Sequence, residues 1–230
     1  TVCILTMQFN IMLRHNLEHE MEIITQMWMK DQEQYRISSD TIDQINRKCH
    51  DMRHQIRSIG SSAKVDANAL KEMEQAIHIY DSMFQTGSRA LDVILTEKSM
   101  ACQESGITVN CIADGSALSF MEDSDIYSLF GNLLENAINA VKALDPSLRT
   151  IDLSIRRHDE LLSVSTRNFY EGTITMENGR PVTSGDPRYH GFGTKSVAAI
   201  VSKYGGAVSF RAQSGTFSVN MLFPLKKKEE

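Results

Sequence analysis

Apolar residues recur along the first sixty positions at steps of three, four and seven. Ile23, Met27, Ile42, Ile45, Met52, Ile56 and Ile59 carry the pattern, and no Pro or Gly interrupts it between about Asn10 and Ile59. This predicts one long helix with a narrow apolar stripe. A helix of that length cannot bury its stripe against itself, so a coiled coil or dimeric bundle is implied. Gly60-Ser61-Ser62-Ala63-Lys64-Val65-Asp66 predicts a turn. Leu70, Met73, Ile77, Tyr80, Phe84, Leu91 and Ile94 then predict a second helix, about Ala67 to Lys98, loosened at Gly87. Two such helices form a hairpin, and two hairpins make a four-helix bundle.

Near Glu104 the pattern changes. Ile107 to Ile112 alternates as a strand, and Asp123 to Leu144 has helical periodicity ended by Asp145-Pro146. Strands follow at Thr150–Arg156 and Leu161–Thr166, then a polar loop from Glu171 to Tyr189 containing Gly172, Gly179, Pro181, Gly185 and Pro187. A helix from Thr194 to Tyr204 stops at Gly205-Gly206, a glycine C-cap signal. Strands at Ala207–Ala212 and Thr216–Phe223 complete the chain. The expected class is α+β: a long helical hairpin, then a mixed sheet covered by helices on one face. Three regions are expected, at 1–45, 46–103 and 104–226.

Two polar features stand out against this pattern. Asn132, Asn136 and Asn139 share one face of the 123–144 helix, opposite Leu133, Leu134, Ala137, Ile138 and Val141. Asn is a mediocre helix former, and its carboxamide oxygen suits a hard cation such as Mg²⁺ whose shell is completed by water and phosphate. His190-Gly191-Phe192-Gly193-Thr194-Lys195-Ser196 leads directly into a helix. Its glycines permit close backbone approach, and the helix start offers N–H groups to phosphate. The spacing is neither that of a P-loop nor that of a dinucleotide fingerprint.

Taken in order, these elements resemble the ATP-binding domain shared by gyrase, heat-shock chaperone ATPases, mismatch-repair ATPases and sensor histidine kinases, the GHKL or Bergerat type. Asn132-x-x-x-Asn136 resembles the N box, His190-Gly191-Phe192-Gly193 the second glycine box, and Gly215-Thr216-Phe217 the terminal Gly-Thr-x-Phe element. The resemblance implies ATP and Mg²⁺ as cofactors. Asn136 would be the metal ligand and Asn132 would face the phosphates, with Asn139, which stands where many such kinases have a basic residue, a further cofactor-binding position. Gly191, Phe192, Gly193, Thr194 and Lys195 would shape the phosphate side, with Gly172 opening the lid. The usual Asp-x-Gly-x-Gly box is replaced by a stretch containing Asn168, whose oxygen can also accept the adenine amino proton. An Asn there resembles kinases related to quorum-sensing and bacteriocin-regulating receptors.

Upstream, Lys48-Cys49-His50-Asp51-Met52-Arg53-His54 resembles the His-Asp phosphoacceptor box of that subgroup. His50 would be the acceptor, Asp51 the acid polarising it, and His54, one turn on, an assisting group. His15, His19, His78 and His158 carry only the surface reading. The resemblance implies a homodimer, with a domain that swings about Met100–Ser105 to bring ATP to His50. It also implies phosphotransfer to a response regulator of LytTR type. Two other readings are a GHKL ATPase switch and a non-catalytic nucleotide-binding scaffold. The first meets an obstacle at Asn132, which cannot act as the water-activating base that a Glu supplies there. Glu135 sits about a hundred degrees of helix from Asn136.

The net charge of −5 shows no nucleic-acid footprint. The four cysteines are scattered, with no Cys-x-x-Cys pair, so neither a zinc site nor a disulfide framework is expected. The apolar start, Val2 to Leu13, is too short to span a bilayer. It fits either the end of a membrane helix, with a sensor domain preceding it, or a helix start packed on a partner. On the first reading the full-length protein lies on the cytoplasmic side of a bacterial membrane.

Overall fold

The computed structural model describes residues 2–60, 84–177, 179–182 and 192–225. Helix α1 runs from Val2 to Gly60 without a break, starting earlier than expected. It carries Tyr35, Ser38 and Ser39 as its inward-facing polar residues, with Ser38 and Ser39 buried. No helix among the described residues is long and apolar enough to cross a membrane. The turn and the first half of the expected second helix lie outside the described residues, so the hairpin and the bundle rest on the sequence.

The expected second helix differs in its described part. The chain is non-helical from Phe84 to Ser88, and helix α2 spans Arg89–Glu104. The cause is local. Gly87 takes φ +92°, which a helix forbids. Ser88 then caps the new helix by accepting from the Leu91 N–H, and the Thr86 N–H and hydroxyl both donate to Asp92. Helix α2 contributes Ala90, Leu91, Val93, Ile94, Leu95 and Cys102 to the same core as residues 107–223. The swivel expected at Met100–Ser105 therefore falls on a packed helix end. Cys102 is buried there, and the Arg149 guanidinium holds the Ser105 carbonyl at 3.1 Å.

The core is built by a five-stranded sheet in the order β1-β2-β3-β7-β6. Its strands are β1 (Thr108–Ala113), β2 (Thr150–His158), β3 (Leu161–Phe169), β6 (Ala207–Gln213) and β7 (Thr216–Pro224). β1 and β2 pair in parallel and the other neighbours are antiparallel. Period-two alternation turns Ile151, Leu153 and Ile155, Leu162 and Val164, and Val219, Met221 and Phe223 to one face. Helices α2, α3 (Asp123–Val141) and α4 (Phe192–Lys203) cover that face. The opposite face carries polar pairs such as Arg167 with Asp152. Within the expected lid lies a short hairpin, β4 (Thr175–Glu177) with β5 (Arg180–Val182).

Helix α4 ends as its glycines predict. Gly205 adopts φ +68°, and the Gly206 N–H returns to the Val201 carbonyl at 2.9 Å. A side chain at Gly206 would stand 2.7 Å from Phe223 and 2.8 Å from the Leu222 carbonyl, so helix and strand meet there at contact distance. The two helix ends beside the sheet are also tied. Asp125, fully buried near the start of α3, accepts from Lys203 at 2.7 Å and from the Tyr204 hydroxyl. The Asp125 hydrogen bond holds the Lys203 ammonium well above the usual lysine range.

Candidate nucleotide site

The inward faces of α3 and β3 become polar at the same end of the domain. Along β3, Leu162 and Val164 give way to Thr166 and Asn168, both buried. Register places Thr166 beside Leu153 and Val219, and Asn168 beside Ile151 and Phe217. Along α3, the face that buries Leu133 and Ala137 continues outward to the exposed Asn136. A narrow cleft runs between these elements and α4. Asn136, Thr166, Asn168 and Thr194 supply its polar lining, while Val197, Phe217 and other apolar side chains form its floor.

Each asparagine has a defined setting. Asn132 donates its side-chain N–H to the Ser128 carbonyl at 2.8 Å, four residues back. Because a carbonyl only accepts, the NH₂ must face Ser128, and the oxygen of Asn132 points to Gly193. A Cβ at Gly193 would stand 3.1 Å from Asn132 Oδ1 and 3.3 Å from Asn136 Nδ2. The first turn of α4 is thus seated against both asparagines, and any side chain at Gly193 would push their amides by a few tenths of an ångström. Asn168 donates to the Phe169 carbonyl at 2.8 Å, which fixes its NH₂ and leaves Oδ1 as the atom of the amide suited to accept from a ligand.

Asn132, Asn136, Asn168, Gly193 and Thr194 therefore converge. Other expected residues do not join them. Asn139 is exposed one turn farther on, outside the cleft lining, and Lys195 is exposed in the first turn of α4. Gly172, at φ +89°, sits in a turn with nothing within 4 Å of its side-chain direction. Phe192 begins α4, and its side chain is not described. His190, Gly191 and the rest of the expected lid from Thr183 lie outside the described residues. His50, Asp51 and His54 are on α1, Asp51 exposed, and the two histidine side chains are not described.

Sequence reasoning missed Thr166 and Ser128. The alternation Leu162-Val164-Thr166-Asn168 points to the first. The i−4 spacing from Asn132 points to the second.

No group of three His, Cys, Asp or Glu among the described residues could hold a metal ion. The donor set fits Mg²⁺ in one respect, because the cleft offers the neutral amide oxygen of Asn136, and Mg²⁺ keeps waters and takes phosphate oxygens readily.

Comparison with known proteins finds similarity among sensor kinases. A "Probable C4-dicarboxylate sensor kinase" of Bacillus subtilis (strain 168) is 26% identical over 152 residues, 59% of this chain and 27% of that protein. The chain thus spans about a quarter of the length of that curated relative. Among solved structures, the catalytic domain of histidine kinase ThkA aligns at 14% identity and TM-score 0.44, covering 59% of this chain and 90% of that one. Acinetobacter baumannii histidine kinase AdeS aligns at 11% identity and TM-score 0.44, covering 79% of this chain and 97% of that one. The mycobacterial sensor histidine kinase MprB aligns at 17% identity and TM-score 0.42, covering 59% and 91%. The stretch holding the asparagine helix, both antiparallel strand pairs and the glycine-led helix is the stretch that matches the GHKL domain family, residues 121–224.

Proposed function

We propose that this chain is the ATP-binding and phosphoacceptor part of a sensor histidine kinase, transferring the γ-phosphoryl group of ATP to His50. The observation that carries the reading is the seat of Gly193 against Asn132 and Asn136, with Asn168 lining the same cleft. Adenine would enter between α3 and β3, where Asn168 Oδ1 accepts its amino proton. The triphosphate would lie toward the first turn of α4, whose N–H groups favour negative charge. Asn136 would hold Mg²⁺ through its amide oxygen. Bound there, the ion supplies charge neutralisation on the β- and γ-phosphates.

On α1, Asp51 would take the N–H proton of His50 while the other ring nitrogen attacks the γ-phosphorus. The N–P bond forms, the bond from phosphorus to the β,γ-bridging oxygen breaks, and ADP leaves. The amide of Asn132, where an ATPase needs a carboxylate, leaves water without a base. The phosphoryl group would then pass to an Asp of a response regulator, of LytTR type on the subgroup resemblance, docked on a dimeric hairpin.

Incubation with γ-labelled ATP and Mg²⁺ tests this. Acid-labile label on the protein, lost in both His50→Gln and Asn136→Ala, is the expected result. Release of free phosphate without labelled protein indicates an ATPase switch, and nucleotide binding with neither product indicates a scaffold.

A further inference from the structure

Helices α3 and α4 meet at two polar contacts, one at each end of α4. At its start, Gly193 sits against the amides of Asn132 and Asn136. At its close, Lys203 and Tyr204 meet Asp125 near the start of α3. Lys203 donates to Asp125 at 2.7 Å and to Glu122 at 3.2 Å. The Tyr204 hydroxyl donates to Asp125 and accepts the Glu122 backbone N–H at 3.0 Å. Phe120 packs edge-on against the Tyr204 ring at 5.8 Å. The Asp125 side chain is 1% exposed, so protein donors rather than water meet its charge.

The two contacts make the helices antiparallel, and the spans between them agree. From Gly193 to Lys203 the rise along α4 is about 15 Å, and from Asp125 to Asn132 and Asn136 the rise along α3 is about 10 and 16 Å. Between the contacts, α4 buries Val197, Ile200 and Val201. Burial of apolar surface is non-directional, so these side chains do little to fix where α4 sits along its axis. Hydrogen bonds do fix it, because they weaken steeply with distance and angle. The turns of α4 are hydrogen-bonded to one another, so an axial slip at Lys203 arrives at Gly193 undiminished.

We propose that Lys203 and Tyr204 are positioning residues for the nucleotide site: their bonds to Asp125 and Glu122 set the axial register of α4 on α3. That register sets the distance of the first turn of α4 from Asn132 and Asn136, where the triphosphate and its metal would lie. The inference rests on the nucleotide reading above. The base end of the cleft is held differently, since Thr166 and Asn168 belong to β3, which is paired on both sides within the sheet. A loosened register should therefore weaken recognition of the triphosphate and spare that of the base.

Tyr204→Phe keeps the ring and deletes only the hydroxyl. Its Kd for a non-hydrolysable ATP analogue with Mg²⁺, titrated well below the melting temperature, should rise roughly fivefold, the scale of one hydrogen bond. Its Kd for adenosine should stay at the wild-type value. Lys203→Met should show the same split, and Lys203→Arg, which keeps a cationic donor at Asp125, should bind the analogue as wild type does. In NMR spectra of the ligand-free protein, the side-chain amide signals of Asn132 and Asn136 should shift in Tyr204→Phe. Those of Asn110 and Asn220, on the outer face of the sheet, should not. Affinities for analogue and adenosine that fall together, or that both hold while only the melting temperature drops, overturn the proposal. Unmoved Asn132 and Asn136 signals overturn it too. If wild type binds neither ligand while those signals still move in Tyr204→Phe, the register contact stands and the nucleotide reading fails.

Discussion

Replacing Asn168 by Asp would install the carboxylate that the commoner adenine box carries, and in this chain it should do harm. Asn168 is 4% exposed and its NH₂ donates to the Phe169 carbonyl at 2.8 Å. In Asn168→Asp an ionised side chain loses that donor and sets a buried carboxylate oxygen against a carbonyl. A buried polar group left without its partner costs about 1–3 kcal/mol, which for a domain of this size lowers the melting temperature by roughly 5–15 °C. Burial disfavours the charged form, so the introduced carboxyl would titrate in the folded state above its unfolded value of about 3.9. A raised carboxyl contributes its stability below the unfolded value and loses it as pH climbs through the folded one. Once protonated, the introduced carboxyl can also donate to the Phe169 carbonyl again. The deficit relative to wild type should therefore be small near pH 4 and grow toward neutrality. Differential scanning fluorimetry across that range, paired with titration of an ATP analogue at neutral pH, reads both effects. Equal melting of the two proteins at neutral pH, or a deficit that does not change with pH, refutes the reasoning, as does tighter nucleotide binding without loss of stability.

Gly193→Ala should weaken nucleotide affinity about tenfold, the scale of 1.4 kcal/mol, because its Cβ would crowd both amides of the cleft; titration calorimetry measures it. Asn136→Ala should abolish the Mg²⁺ dependence of nucleotide binding while Asn139→Ala, outside the cleft lining, keeps it, a contrast visible by repeating the titration with and without the metal. Gly206→Ala should cost about 1–3 kcal/mol in urea unfolding, since backbone and ring atoms block its Cβ. Lys203→Met should destabilise the fold by about 1–3 kcal/mol by stripping a partner from the buried Asp125. Because the lysine is raised in the folded state, that loss should persist below its unfolded value of about 10.4 and close only at more alkaline pH, in parallel denaturation curves.

The sandwich was readable because its strands are buried on one face. Leu162, Val164, Thr166 and Asn168 alternate with exposed or half-exposed neighbours, and Gly205-Gly206 marks a helix end through backbone geometry alone. Asn132 and Asn136 were readable for the opposite reason: their polarity interrupts a helix that otherwise packs well. The break before α2 was hidden. Leu91 and Ile94 continue the period of the residues before them, and the stop is encoded in Gly87, Ser88 and the Thr86–Asp92 bonds, which carry no hydrophobic signal. The docking of α1 was hidden for a related reason. Tyr35, Ser38, Ser39 and Asp43 are polar residues outside the apolar stripe that pointed to a coiled coil, and only the partner surface shows that they are contacts.

Because α2 is capped at Ser88 and packed along its length, the chain enters the nucleotide domain through a stiff rod. Lys98, which pairs with Glu135 beside Asn136 at 2.8 Å, lies nine residues from Arg89, a lever of about 14 Å. Because α2 and α3 share one core, a turn of the whole domain by about 15° about Arg89 would carry the asparagines ~4 Å. The fulcrum of that lever is Arg89, the residue that grips Asp43 of the long helix. A small twist delivered at one exposed ion pair is thereby geared up into a displacement on the scale of a phosphoryl group.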